Sequence, residues 1–390
     1  MESVLSPEQW QQILEFVPPM DLRNVVIASR QMNSLASWPD LWGTMKVNMG
    51  KLKKNGLAQL YNINRFNRIK RMDFADMDLV AGGLEGLFED VPESPLDNMT
   101  ISWAQFGEAS EEALANVVEH LQTLTVKRPP IIRTTEALVK LENVLQSAKG
   151  VLNLDLSGVH FMGVPGDLLA RIIKQLSSVD IRSTHLTTNQ WHQVLKASIN
   201  STTLVDVNLA LVSLSRIEAD LLAGAVKRLQ KVNLHYTYLT TEQSTEVVKA
   251  IISSTTLVDV GLRGVDLRSI RADLLAGAIR RLHKVSLSYT LLTTEQLTEV
   301  FKDFDATLVD VDLSNVNLRS VQADLLADAV RCLRKVKLNF TRLTSEQCTE
   351  VVKAIISSTT LEDVELVGND IDTKVPASLL NCLPGNVAHY

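Results

Sequence analysis

The sequence LVDVNL at residues 204–209 decides the fold, because it returns three more times along the chain. Its copies are LVDVGL at 257–262, LVDVDL at 308–313 and LEDVEL at 361–366. In each copy the first, fourth and sixth places are apolar and the places between them are mostly polar, which is typical of a short strand with one buried face. The sequence therefore predicts one short strand that is repeated along the chain.

A second version of the motif lies between these copies, as LQKVNL at 229–234, LHKVSL at 282–287 and LRKVKL at 333–338. The two versions alternate at steps of 25 and 28 residues, with one step of 26, so the full unit is about 53 residues long. Self-similarity at a period in this range is typical of a solenoid. We therefore expect a one-dimensional repeat array rather than several globular domains.

The array extends towards the N-terminus. Earlier openings of the same motif are Trp42, Ile69, Leu96, Leu121, Val151 and Leu176. The sequence thus predicts a short domain at residues 1–43 followed by about twelve repeats over residues 44–390, with the regular double unit from about residue 151.

Helix signals separate the strands. Thr240 and Gln243 form a capping box, in which each side chain bonds the backbone N–H of the other residue. The same pair recurs as Thr187 and Gln190, Thr293 and Gln296, and Thr344 and Gln347. In the other half-unit, ADLLAGAV at 219–226 returns with small changes at 272–279 and 323–330. Each half-unit is therefore predicted to be a strand followed by a helix.

This alternation resembles leucine-rich-repeat proteins of the helix-containing, ribonuclease-inhibitor-like type. The resemblance implies an α/β fold, a right-handed horseshoe solenoid with a parallel sheet inside and helices outside. The ninth place of such a repeat is often Asn, but here it alternates between Val and Thr, as at Val265 and Thr290, and is Asn only at Asn369. Thr can satisfy some backbone groups of the turn and Val none.

Places three, five, seven and eight of each repeat are predicted to face solvent on the inner sheet. Place three alternates in sign, from Asp206 to Lys231 to Asp259 and onwards, on strands about 4.8 Å apart. One interpretation is a neutralising ladder, in which each contact contributes about 0.2–1 kcal/mol. The other is a charged ribbon that binds a partner, although strict alternation leaves little net field for electrostatic steering.

Aromatic residues at place eight are candidate target-binding residues. They are Trp103, Tyr236, Tyr289 and Phe340. Aromatic side chains that border a concave surface are plausible binding anchors, and the alternative is half-buried packing over the turn after the strand. A further candidate is the loop with Lys127, Arg128, Pro129, Pro130 and Arg133, since insertions in solenoids often belong to the binding rim. A solvated turn is the alternative there.

Residues 1–43 are predicted to form three short helices. Ser6, Pro7 and Glu8 give a cap, a first-turn proline and an acid at the positive end of the helix dipole. The helix that follows ends at Pro18, and Asp21 can cap the next one. Three short helices bury too little surface to fold alone, so they must pack on something else.

The same residues resemble an F-box. The matches include Leu5, Pro7, Glu8, Ile13, Leu14, Val17, Asp21, Leu22, Val25, Ser29, Arg30, Leu41 and Trp42. There are three departures from the family pattern: Pro7 stands one place later than usual, Met32 replaces the usual Trp, and Ser29 replaces the usual Cys. The resemblance implies that these helices bind a Skp-type adaptor and, through it, a cullin scaffold carrying a RING protein and a ubiquitin-conjugating enzyme.

Nine of these positions are the predicted adaptor contacts, by an apolar helix-in-groove mode. The apolar ones are Leu5, Pro7, Ile13, Leu14, Val17, Leu22 and Val25, while Glu8 and Asp21 shape the helix starts. The alternative is that the helices only cover the exposed end of the repeat array, as terminal repeats require.

The amino-acid composition and charge limit the classes of function and the compartment that the sequence predicts. The formal net charge is −6, from 39 basic and 45 acidic residues that are closely mixed, so no basic stripe favours nucleic acid. No run of about 18 apolar residues predicts a membrane span, and the N-terminal residues lack the pattern of a secretory signal. Cys332, Cys348 and Cys382 form neither a CxxC pair nor an even set, which favours a reducing compartment. We therefore expect a cytoplasmic or nuclear protein.

The sequence contains no phosphate loop, no metal-ligand cluster and no nucleophile paired with a base, so we predict no catalytic residues, metal or cofactor. Our hypothesis is a substrate-recognition subunit of an SCF-type ubiquitin ligase, whose repeats bind an unknown target protein. The alternative hypothesis is a leucine-rich-repeat scaffold or inhibitor without ubiquitin-ligase association.

Overall fold

The structure is a computed structural model, and the chain divides between residues 179 and 180 into two compact units. The structure describes residues 71–73, 97–119, 121–127, 135–148, 152–304, 307–385 and 387–388. No helix in these ranges is both long and apolar enough to cross a membrane.

The first unit contains a three-stranded parallel sheet in the order β1, β2, β3. Its strands are β1 (Arg71–Asp73), β2 (Asn98–Ser102) and β3 (Thr123–Lys127). Its helices are α1 (Trp103–Glu108), α2 (Glu111–Val118), α3 (Thr135–Gln146) and α4 (Gly166–Lys174), and β4 (Leu152–Asp155) and β5 (Leu176–Asp180) follow α3 and α4. Met99 pairs with Leu124 and Ile101 with Val126, and all four side chains are buried as places four and six of their repeats.

The second unit repeats the same strand and helix alternation more regularly. Its strands are β6 (Asp206–Asn208), β7 (Lys231–Asn233), β8 (Asp259–Gly261), β9 (Lys284–Ser286), β10 (Asp310–Asp312), β11 (Lys335–Lys337), β12 (Asp363–Glu365) and β13 (Val387–Ala388). Its helices are α5 (Thr188–Asn200), α6 (Ala219–Arg228), α7 (Thr241–Ser253), α8 (Ala272–Ile279), α9 (Thr294–Lys302), α10 (Ala323–Arg331), α11 (Ser345–Ser357), α12 (Ile371–Lys374) and α13 (Ala377–Leu380).

Each strand from β6 to β13 pairs in parallel with the next one along the chain. The register aligns equal places of successive repeats, so that Val207 lies beside Val232 and Val232 beside Val260. Leu229, Val232 and Leu234, which are places one, four and six of one repeat, are all buried. The predicted one-sided strand and the leucine-rich-repeat solenoid are therefore confirmed.

The four predicted capping boxes are present, and the glutamines of three of them also join successive repeats. At α7 the Oγ1 of Thr240 accepts from the Gln243 N–H at 3.2 Å, and the Gln243 Oε1 accepts from the Thr240 N–H at 2.8 Å. The Nε2 of Gln243 donates to the carbonyl oxygens of Leu214 at 2.7 Å and Ile217 at 2.6 Å, in the loop of the preceding repeat. Gln296 and Gln347 make the equivalent bonds.

Several turns after the strands close without the usual asparagine. At the ninth place the Val265 N–H donates to the Leu262 carbonyl at 3.0 Å, so the backbone itself closes the turn. Thr237 makes the same backbone bond to Leu234 at 3.2 Å and adds a side-chain bond to that carbonyl at 2.7 Å. Valine is tolerated at this place because a carbonyl satisfied by the turn needs no side-chain donor.

Candidate protein-binding surface

Place eight lies in a turn and not on the flat inner sheet where the sequence interpretation put it. Tyr236, Tyr289 and Phe340 have φ of 53°, 56° and 56°, and Gly264 and Gly368 take the same left-handed conformation at the equivalent place. This region is uncommon for residues with a Cβ. The chain turns there from the strand towards the next helix, so the aromatic side chains follow the C-terminal edge of the sheet.

Tyr236 and Tyr289 lie on either side of Arg263. We call these three residues the tyrosine–arginine cluster. The two rings lie 6.5 Å apart between centroids and are tilted by 52°. The guanidinium carbon of Arg263 lies 5.4 Å from the Tyr236 centroid and 4.7 Å from the Tyr289 centroid. The Nε–H of Arg263 also donates to the Tyr236 hydroxyl at 2.8 Å. A guanidinium over aromatic faces is stabilised by the ring quadrupole.

The four place-eight candidates differ in exposure. Tyr236 is half-buried, whereas Tyr289 and Phe340 are 45% and 54% exposed. Trp103 is only 4% exposed and packs edge-on against Phe106, with ring centroids 5.5 Å apart. Trp103 is therefore a core residue, and its prediction as a target contact is corrected, because the chain enters α1 at this point and carries the side chain inward.

Four of the seven place-three charges of the second unit form ion pairs across neighbouring strands, in the manner of a neutralising ladder. Asp206 lies opposite Lys231, and their charged atoms are 3.3 Å apart. Lys284 pairs in the same way with Asp310 at 3.0 Å. Burial raises the pKa of Asp259, although the neighbouring lysines Lys284 and Lys231 oppose the shift. Exposed pairs of this kind contribute little each, and this geometry favours the ladder over a binding ribbon.

His235, at place seven, was not singled out as a site residue by the sequence. Its Nε2 is buried and has no hydrogen-bond partner within the part of the chain that the structure describes. Burial, and then the charge of Arg263, lower its pKa, while the charge of Asp312 opposes this shift. The imidazole is therefore neutral at neutral pH and adds no positive charge to the tyrosine–arginine cluster.

Arg263 itself was missed as a functional candidate. Its place is occupied by unrelated residues in other repeats, such as His235, Ser288 and Ser314, so no periodicity marks it. The signal that could have found it is its position between two place-eight tyrosines, one in the preceding and one in the following repeat.

Several sequence predictions lie outside the described residues. The adaptor-contact residues Leu5, Pro7, Glu8, Ile13, Leu14, Val17, Asp21, Leu22 and Val25 all do, as do Arg128, Pro129, Pro130 and Arg133 of the candidate loop. These remain predictions.

Within the described ranges no group of His, Cys, Asp and Glu side chains could hold a metal ion. Burial raises the pKa of the Cys348 thiol to about 11.

Comparison with known proteins identifies the N-terminal segment. Residues 4–44 match the F-box domain. No curated protein matches the sequence. Among solved structures, the leucine-rich-repeat-containing protein LegL7 from Legionella pneumophila is similar at 15% identity and a TM-score of 0.43, covering 75% of this chain and 89% of that one. The tropomodulin C-terminal domain of Caenorhabditis elegans is similar at 16% identity and a TM-score of 0.30, covering 36% and 91%.

The F-box match lies on the N-terminal residues whose pattern resembles an F-box. The strands and helices of the described residues form the leucine-rich-repeat array. The chain therefore contains an F-box domain at residues 4–44 and a leucine-rich-repeat array.

Proposed function

We propose that the protein is the substrate-recognition subunit of an SCF-type ubiquitin ligase. The observation that carries the proposal is the presence of an F-box domain at residues 4–44 on the same chain as a leucine-rich-repeat array. F-box segments suggest docking to a Skp-type adaptor and its cullin, and repeat arrays with exposed aromatic side chains suggest protein binding. One chain thereby joins a target protein to the ligase, in the cytoplasm or nucleus.

In this proposal the protein is not itself an enzyme. Isopeptide-bond formation takes place on the ubiquitin-conjugating enzyme, and the repeats hold the target near the charged thioester. The gain in rate is one of proximity, because holding two reactants together raises their effective concentration.

A binding experiment with the purified adaptor tests the proposal. The full-length chain should retain the adaptor in a pull-down, and Ile13→Asp or Leu14→Asp should abolish retention by placing a charge in an apolar contact. Arg216→Gln, an exposed change in the array, is the matched control and should bind like the wild type. Circular dichroism should show that all variants keep a folded array.

A wild-type chain that does not retain the adaptor would contradict the proposal and favour the scaffold or inhibitor. If the adaptor does bind, a form lacking the F-box should accumulate bound targets in cells, because it holds them without delivering them for modification.

A further inference from the structure

Arg263 has no acidic partner among the described residues. On the same sheet Lys231, Lys284 and Lys337 each pair with a carboxylate of a neighbouring strand, at 3.3, 3.0 and 2.5 Å. No carboxylate within the described ranges lies in ion-pair distance of Arg263, whose hydrogen bond through Nε goes to the neutral hydroxyl of Tyr236. Its two terminal nitrogens therefore remain available to an outside acceptor.

The position of Arg263 is fixed before anything binds. The Tyr236 hydroxyl orients the Nε edge of the guanidinium, and the rings of Tyr236 and Tyr289 hold its plane. A planar guanidinium presents its free nitrogens as a fork that matches a carboxylate or phosphate. Because its rotamer is already restricted, less conformational entropy is lost when an anion binds.

The surroundings favour a singly charged group. Arg263 is the one cation of the cluster, and the adjacent His235 is kept neutral at neutral pH. Phosphorylated motifs are recognised by clusters of arginines, whereas a single unpaired guanidinium is matched by a single carboxylate.

Exposed apolar side chains continue from the cluster along the same edge of the sheet. Tyr238, which is 75% exposed, follows Tyr236 by two residues, and the exposed Leu291 follows Tyr289 by two. Among the described residues of the second unit, five of the six exposed large hydrophobic residues lie between a strand and the following helix, and they are Leu211, Tyr238, Tyr289, Leu291 and Phe340. A concentration of exposed apolar surface of this kind marks a protein-interaction site.

We propose that the tyrosine–arginine cluster binds an acidic side chain, Asp or Glu, in an extended segment of the target protein, while apolar residues beside that acid pack on Tyr238 and Leu291. The carboxylate forms a bidentate bond with the terminal nitrogens of Arg263. The inference rests on the proposed function only in taking the bound segment to belong to a ubiquitination target.

Random peptides displayed on phage, selected on the immobilised full-length chain, test this inference. The selected peptides should share an Asp or Glu beside an aromatic or aliphatic residue. Synthetic copies should lose affinity at least about tenfold on Arg263→Gln, the loss expected for a charge-assisted hydrogen bond. Replacing the peptide acid by its amide should cause a similar loss. Arg216→Gln removes the same charge from an exposed site elsewhere and should leave binding unchanged.

Four results would overturn the inference. They are a selection that enriches no peptide, a consensus without an acid, equal binding by the wild type and Arg263→Gln, and tighter binding when phosphoserine replaces the acid. A thermal melt of Arg263→Gln that matches the wild type shows that any loss of binding is local. The experiment needs no adaptor, so its failure is distinguishable from failure of the adaptor pull-down.

Discussion

The ring of Tyr236 lies against the backbone of Gly264, so closely that a Cβ on the glycine would come within 3.0 Å of ring atoms. The two residues occupy place eight of neighbouring repeats, and the Tyr236 N–H donates to the Arg263 carbonyl at 2.7 Å beside them. A side chain at residue 264 would fill the space between Tyr236 and Tyr289. The tyrosine–arginine cluster therefore depends on this glycine.

Gly264→Ala should displace Tyr236 and lower the free energy of unfolding by about 1–3 kcal/mol, because the alanine meets the ring and must also take a positive φ. Gly277→Ala is the matched control. A Cβ on Gly277 meets nothing within 4 Å, and the residue lies inside α8, so alanine should stabilise the helix by about 0.5–1 kcal/mol. Urea unfolding measures both changes, and equal stabilisation by the two alanines would contradict the packing described here.

The capping glutamines should contribute more than ordinary helix caps. Gln243→Glu keeps the oxygen that caps α7 but removes the two donors to Leu214 and Ile217, and it places a carboxylate beside their carbonyl oxygens. We expect a loss of about 2–4 kcal/mol. Thr240→Ala removes only the cap and should cost about 1 kcal/mol. Thermal and urea unfolding should rank the two in this order, and similar losses would show that the bonds between repeats contribute little.

His235 should make the array sensitive to mild acid. Its pKa in the folded protein is lowered by burial and by Arg263, so below the ordinary value of about 6.5 the unfolded chain binds a proton that the folded chain does not. Stability should therefore decrease as the pH falls from neutrality through that value. His235→Asn, which introduces the residue found at place seven in Asn339, should remove part of this decrease. Urea unfolding at neutral and mildly acidic pH checks the difference, and parallel profiles would contradict it.

Two aspartates of the place-three ladder should respond differently to neutralisation. Burial raises the pKa of Asp259, so its ionised form lowers stability at neutral pH, and this penalty disappears as the pH falls through the raised pKa towards the ordinary value. Asp259→Asn should therefore be at least as stable as the wild type at neutral pH. Asp310→Asn loses the ion pair to Lys284 and should be less stable by about 0.2–1 kcal/mol.

Chemical unfolding at neutral pH distinguishes these two variants. Equal destabilisation by both would show that the attraction of Lys231 and Lys284 outweighs the cost of burying Asp259.

The sequence by itself determined the features that depend on residues close together in the chain. Places one, four and six predict the strands, the Thr and Gln pairs predict the helix starts, and the N-terminal pattern resembles the F-box that residues 4–44 match. Each of these features depends on residues that are only a few positions apart, so hydrophobic periodicity and capping residues are enough to predict it.

Only the tertiary structure decided what the repeats place side by side. Trp103 and Tyr289 occupy the same place in their repeats, yet one is buried and the other is exposed. Arg263 lies between Tyr236 and Tyr289 because parallel strands in register bring together residues that are more than 20 positions apart. Such contacts depend on the packing of neighbouring repeats, which no local sequence pattern encodes.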